Sequence, residues 1–426
     1  MMRFNIIIGL AMLAMNALAQ RVQQRIVLPD SVTSAEADWV DIDNDGLLDI
    51  LLLMKTKQGN DYVRIFQGNA AGTIFSDTVT ALINERTLPI ISYDAYILAD
   101  YNRDNAMDII ISGQLNGARA TMIYQNKGGF KFESSTTSIP YFTQARFADF
   151  DDNATPELVV SGSDSNGSYT RILKQLDDGT WEPVHDSLRL QCSSMQTLDA
   201  DGDGDNDLFL SGTLDTGALT SGFYMNHGGF YFKSEFMTAL RGNTSTGDLD
   251  GDGFFEVVLM GQDESGLWYT KKYQRASGKY TVHDLPTVLK DGQPFIADFD
   301  HDGIAEISYS GVGSSGETIN VIQYNSGVST PLMESISPVR FGDLKHDGNL
   351  EYLVVSRDAS NLIIALENDL STIKNDGPGV STNALALPIF NRVFMYWDKP
   401  ADDHTPGASL TYDVFLDGAS NYQAGE

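Results

Sequence analysis

Apolar runs of four or five residues punctuate the chain at 50–54, 109–112, 158–161, 208–211, 257–260, 307–310 and 352–355. Each is too short for a helix of ordinary length and is rich in β-branched or aromatic side chains, which predicts a buried strand. A second strand-like run follows each one, as at 62–66, 121–124 and 318–323, and then a glycine-bearing turn such as Lys127-Gly-Gly-Phe130 or His227-Gly-Gly-Phe230. A third strand and a less regular passage lead to a short fourth strand, as at 145–148 and 294–297. Four short strands joined by hairpin chemistry make one unit.

A nine-residue acidic stretch stands immediately before every one of the seven apolar runs. The copies open at Asp41, Asp100, Asp149, Asp199, Asp248, Asp298 and Asp343, with steps of 59, 49, 50, 49, 50 and 45 residues. A fixed period of this size means one supersecondary unit repeated. Four-stranded antiparallel blades at this period spell an all-β protein, a β-propeller, and seven copies spell seven blades. The segment 24–28 has the pattern of an outer strand, while the last repeat runs out near Lys374 after its third strand. We therefore expect the N-terminal segment to complete the seventh blade and remove an open edge; the competing choice for that strand is 371–374.

The clearest copy reads Asp199-Ala-Asp-Gly-Asp-Gly-Asp-Asn-Asp207. Carboxylates at positions 1, 3, 5 and 9 of a tight loop point their oxygens at one centre, and glycine at position 6 permits the turn. Calcium takes six to eight hard oxygens in such a cage. An EF-hand is excluded because its loop needs a glutamate at position 12, where this chain has Leu52, Leu210, Leu259 or Tyr309, and because its flanks are helices.

Composition supports that chemistry. The net charge is -30, and 27 of the 58 acidic residues fall within the seven loops. Such a balance excludes nucleic-acid binding, which needs clustered Lys and Arg. Residues 1–19 read as a bacterial-type secretory signal peptide: Arg3, an apolar run too short to span a bilayer, and Ala17-Leu18-Ala19 as the cleavage site. The mature chain is then expected to carry no membrane span and to be secreted or held at the cell surface. Cys192 is the only cysteine, so no internal disulfide exists, and it reads as a buried inert thiol. The six histidines are scattered without metal-ligand spacing; His301 and His346, at position 4 of two loops, are expected to face solvent. Ten extra residues between Val79 and Tyr96 mark an insertion in the first repeat, and residues 375–385 read as a linker.

Seven DxDxDGxx[DE] loops, each feeding a strand, resemble the FG-GAP and VCBS repeats of integrin-α-type propellers over residues 20–374. The resemblance implies a loop joining the first and second strands of each blade, with calcium held by side chains at positions 1, 3, 5 and 9. Carried over, loop 1 offers Asp41, Asp43, Asp45 and Asp49, and loop 2 offers Asp100, Asn102, Asp104 and Asp108. Loop 3 offers Asp149, Asp151, Asn153 and Glu157, although Ala154 and Pro156 depart from the pattern. Loop 4 offers Asp199, Asp201, Asp203 and Asp207; loop 5 offers Asp248, Asp250, Asp252 and Glu256; loop 6 offers Asp298, Asp300, Asp302 and Glu306. Loop 7 has Lys345 at position 3, whose ammonium is expected to neutralise Asp343, Asp347 and Glu351 without metal. Four to six structural calcium ions follow. Residues 386–426, with Trp397 and Leu410-Thr-Tyr412, resemble the opening of a fibronectin-type-III-like sandwich, here incomplete.

No catalytic constellation is legible: there is no GxSxG and no phosphate-cradling loop. The reading is a non-catalytic, calcium-stabilised module that binds an extracellular protein or glycan. The expected site lies in the connections 112–119, 161–169, 211–222, 261–268 and 310–317, with Tyr169 and Trp268 as the aromatic candidates, though blade packing is the commoner use of such rings. The alternatives are a polysaccharide lyase or hydrolase, marked by an acid, base or arginine cluster at the central channel, and a passive adhesin or spacer. The oligomeric state is not written in the sequence.

Overall fold

The structure, a computed structural model, describes residues 22–57, 61–69, 73–74, 82–83, 86–87, 91–358 (apart from 154, 229, 231, 238, 277 and 346–348), 361–367, 382–389, 392–398, 413–414 and 422–423. The expected leader at 1–19 and the segment 371–374 lie outside these residues. No helix occurs among the described residues, and none is long and apolar enough to cross a membrane.

Seven antiparallel sheets follow one another as blades of a propeller. Each begins with an inner strand: Val32–Val40, Ser92–Ala99, Gln144–Ala148, Leu190–Leu198, Arg241–Gly247, Lys290–Ala297 and Arg340–Gly342. The second strands carry the apolar runs read from the sequence, for example Asp49–Thr56, Asp207–Leu214 and Glu256–Gln262. Five consecutive residues, Ile50 to Met54, have no exposed surface, because the sheet is covered on both faces by neighbouring blades. Burying each such side chain contributes about 1.5–3 kcal/mol. The core is therefore divided into interblade clusters, such as Val40, Leu51, Ile109 and Tyr124 between blades 1 and 2.

The ring closes as the sequence indicated. Val22–Val27 pairs antiparallel with Asn361–Glu367, so the chain's first strand is the outer strand of blade 7. Blade 1 shows three strands among the described residues. The insertion after blade 1 adds Leu82–Ile83 and Arg86–Thr87 to the outer edge of blade 2, where Leu82 pairs in parallel with Lys131. Beyond the propeller, Thr382–Ile389 and Arg392–Asp398 form a hairpin.

Among the described residues the connections between second and third strands are short turns: in blade 2 Leu115 pairs with Ala118 across Asn116 and Gly117, both left-handed. In blade 2 strand pairing continues up to the turn because a type I′ turn matches the strand twist. Tyr169 is buried with its hydroxyl donating to the Tyr141 carbonyl oxygen, so it packs between blades; Trp268 is partly buried at the start of its strand.

Candidate functional site: the acidic loops and the axial channel

The loops are built by their own carboxylates. The residue before position 1 pairs with the acid at position 9 in every blade, as Val40 does with Asp49 and Leu198 with Asp207, so each loop is a bounded excursion between inner and second strands. The position 1 carboxylate caps the excursion from inside: Asp41 accepts from the amides of Asp45 (3.2 Å) and Gly46 (2.9 Å), and Asp298 from those of Asp302 (3.2 Å) and Gly303 (2.9 Å). Position 5 accepts from the amide two residues on, as Asp203 does from Asp205 at 3.0 Å. Position 6 is left-handed in loops 1, 2, 4, 5 and 6, with Asn105 at φ 64° filling the glycine's role in loop 2. Position 4 is left-handed too, at Asn44, Arg103, Asp152, Gly202, Gly251 and His301, a second reversal that the sequence pattern did not mark.

Position 9 is wholly buried and doubly tied. In loop 4, Asp207 accepts from the Ala200 amide at 2.8 Å and the Asn226 amide at 2.6 Å; in loop 1, Asp49 accepts from Ile42 at 3.1 Å and Gly68 at 2.7 Å. Burial pushes these acids up, Asp49 and Asp207 to about 7, Glu256 to about 7 and Glu306 to about 8, against the lowering effect of their amide donors. Position 2 is an apolar plug that sequence reasoning passed over: Ile42, Phe150, Ala200, Phe299 and Leu344 are buried. The carbonyls of Ile42 and Phe150 are each held by an asparagine of the next blade, Asn126 at 2.7 Å and Asn226 at 2.8 Å. The recurrent D-apolar-D triplet was the available signal.

The carboxylates converge. Asp41, Asp43 and Asp45 bring oxygens within 4.8 Å of one another, as do Asp100, Asp104 and Asp108; Asp149, Asp151 and Glu157; and Asp199, Asp201 and Asp207. Buried oxygens in these loops lack a hydrogen-bond donor: Asp43 Oδ1, Asp151 Oδ1 and Glu256 Oε1. An oxygen-rich centre with orphaned, mutually repelling carboxylates has the donor chemistry of a hard-cation cage. In loop 4 the turn after the third strand also brings His227 beside Asp201 and Asp203, a meeting no local spacing could announce. His301, expected in solvent, is buried instead, although its left-handed backbone is shared by the exposed Asn44, Arg103 and Asp152 of the other loops; His346 lies outside the described residues.

Loops 3 and 7 are filled differently. Lys174, from the third strand of blade 3, places Nζ 2.8 Å from Asp151 Oδ2 and 3.8 Å from Glu157 Oε1. In loop 7, Lys345 reaches Glu351 Oε1 at 3.1 Å. An ammonium ion pairs with the position 9 acid in both.

The inner strands form a second cluster around the axis. On blades 4 to 6 they are joined by neutral hydrogen bonds, such as Ser194 to Thr244 at 2.6 Å and Asn243 Nδ2 to the Gly292 carbonyl at 2.9 Å. On the other side, Asp38 of blade 1 accepts from Arg340 Nε of blade 7 at 3.2 Å and from the Tyr96 hydroxyl of blade 2 at 3.0 Å. Arg146 of blade 3 donates to the carbonyl of its own neighbour, Ala145, at 2.8 Å. Cys192 is buried, its thiol pushed up to about 11 by burial, as expected of an inert core cysteine.

Among solved structures, a fungal alcohol oxidase of the AA5 family in complex with copper is similar with a TM-score of 0.51 and 11% identity, over 82% of this chain and 76% of that one. The polysaccharide lyase Uly1 gives 0.47 and 10%, over 82% and 99%. A mutant of the Aleuria aurantia lectin in complex with α-methyl-L-fucoside gives 0.40 and 11%, over 73% and 97%. These likenesses concern the fold alone, which serves binding and catalysis alike. No curated protein matches. Residues 41–111, spanning the first two acidic loops and the blade between them, match the FG-GAP-like repeat family. The chain is thus a seven-bladed β-propeller that carries FG-GAP-like repeats.

Proposed function

We propose that this chain is an exported binding module, stabilised by calcium in its acidic hairpins, that engages an extracellular protein or glycan. The observation that carries the metal is the set of buried carboxylate oxygens without donors, gathered where loop geometry already converges. Loops 1, 2, 4, 5 and 6 each take one ion through positions 1, 3, 5 and 9. When bound, the cation supplies positive charge against repulsions of roughly 1–4 kcal/mol per carboxylate pair. Lys174 and Lys345 supply that charge in loops 3 and 7. Calcium at millimolar concentration outside the cell would keep such loops filled, consistent with the leader-like N-terminus.

Counting ions by equilibrium dialysis of the purified chain is expected to give five per molecule. A count of zero, with an unchanged melting curve in chelator, overturns the reading. A glycan array and a pull-down against extracellular proteins, each with and without chelator, then identify the ligand class.

Catalysis is the second reading, and the arginine, aspartate and tyrosine gathered on the inner strands favour it. Cleavage of an acidic polysaccharide by the purified chain decides in its favour.

A further inference from the structure

We propose that the axial channel holds a binding site for a carboxylate-bearing ligand, anchored on Arg146 and flanked by Arg340. The inference stands whether or not the acidic loops take an ion.

Arg146, Arg340 and Asp38 occupy equivalent places, each three residues before the opening of its acidic loop, about 10 Å along the inner strand from that face. Inner strands are the axial edge of each sheet, so neighbouring blades meet there, as Arg340 and Tyr96 do at Asp38, and Arg146 of blade 3 and Arg340 of blade 7 face each other across the axis. Asp38 is already committed on both oxygens, to Arg340 and to Tyr96. Arg146 makes no ion pair among the described residues, and its one hydrogen bond there goes to the Ala145 carbonyl. The charges that act on it are Arg340, which repels it, and Asp38. Burial holds its guanidinium below the usual arginine range, the mark of a charge short of compensation.

Solvent reaches this cluster: the side chains of Arg340 and Asp38 keep 30% and 29% of their exposure. A planar guanidinium with free N–H donors is the group that takes a carboxylate by two parallel bonds. A single negative charge suits the site better than a phosphate dianion, because Asp38 and Glu36 stand beside it and the chain as a whole carries -30.

The test is calorimetric titration of the intact chain with sodium glucuronate, using methyl glucoside as its uncharged counterpart and inorganic phosphate as a competing anion. Glucuronate is expected to bind, methyl glucoside not to bind, and phosphate to compete weakly. Arg146→Gln is expected to weaken glucuronate at least about tenfold, the loss of a charge-assisted pair. Arg146→Lys keeps the charge without the fork and is expected to lose several-fold, whereas Lys279→Gln on an outer strand changes nothing. Arg146→Gln should also melt no lower than the unaltered chain, since it relieves repulsion with Arg340. An arginine of merely structural use would show lower melting and unchanged binding. Absence of glucuronate binding, equal binding by Arg146→Gln, or tighter binding of phosphate than of glucuronate overturns the proposal.

Discussion

Loop 4 and loop 3 occupy equivalent places in adjacent blades, close on the same strand pairing, and differ in what their acids face. In loop 4, Asp199, Asp201 and Asp207 converge with no lysine paired to them among the described residues, on a backbone reversed by Gly202 and Gly204. In loop 3, Lys174 reaches in from the third strand and meets Asp151 and the buried Glu157. Loop 7 repeats the second solution with a lysine from inside the loop itself. The comparison teaches that the repeat demands a positive charge at this place and leaves its source open. On the proposed reading an ion would supply it reversibly and in proportion to the calcium around the protein. A lysine supplies it permanently, with the bonds and the entropy cost of one ordered side chain.

Chelation strains this contrast most. If five loops share an ion requirement, each contributes about 2.7 kcal/mol at a hundredfold excess over its dissociation constant. Calorimetry in chelator should therefore show melting lowered by more than roughly 10 °C. Next in size is Asp207→Ala, which strips the buried amides of Ala200 and Asn226 of their acceptor. It should cost about 2–4 kcal/mol in denaturant unfolding in chelator, and more in calcium, where a proposed ligand is lost as well. Asp201→Asn, at position 3, should instead lower stability in calcium and raise it slightly in chelator, where it removes one of the repelling charges.

Lys174→Met reverses the assignment of loop 3. The side chain keeps 35% exposure, so the loss in chelator is discounted to about 1–3 kcal/mol. Calcium should restore it and the ion count should rise by one; a loss that calcium leaves untouched would separate loop 3 from the others for some reason other than charge. The smallest effect concerns the channel. Burial raises Glu36 above the usual carboxylate range, against the opposing pull of Arg340 and Lys55. A carboxylate raised on folding contributes stability that is present below its unfolded value and is lost as pH rises through the folded one. Glu36→Gln should therefore match the unaltered chain near pH 4 and exceed it slightly, by under about 1 kcal/mol, at pH 8.

What the sequence determined by itself was everything that repeats. The number of blades, the loop between first and second strands, the acids at positions 1, 3, 5 and 9 and the closing strand near the N-terminus all follow from a period and an alternation, which are local properties. Where the pattern lacked a period it misled or fell silent. The connections between second and third strands read equally as binding loops and as ordinary turns because the two share a composition, and His301 read as exposed where the fold buries it. Only the tertiary structure brought Lys174 to Glu157, His227 to Asp201, and Arg340 to Asp38 across 302 residues of chain. Ring closure makes those neighbours: an inner strand meets blades that its own sequence does not encode. Charge compensation in loop 3 and along the axis was therefore decided in three dimensions, because Coulomb forces act across space and take no account of chain order, whereas Lys345 in loop 7 was legible locally.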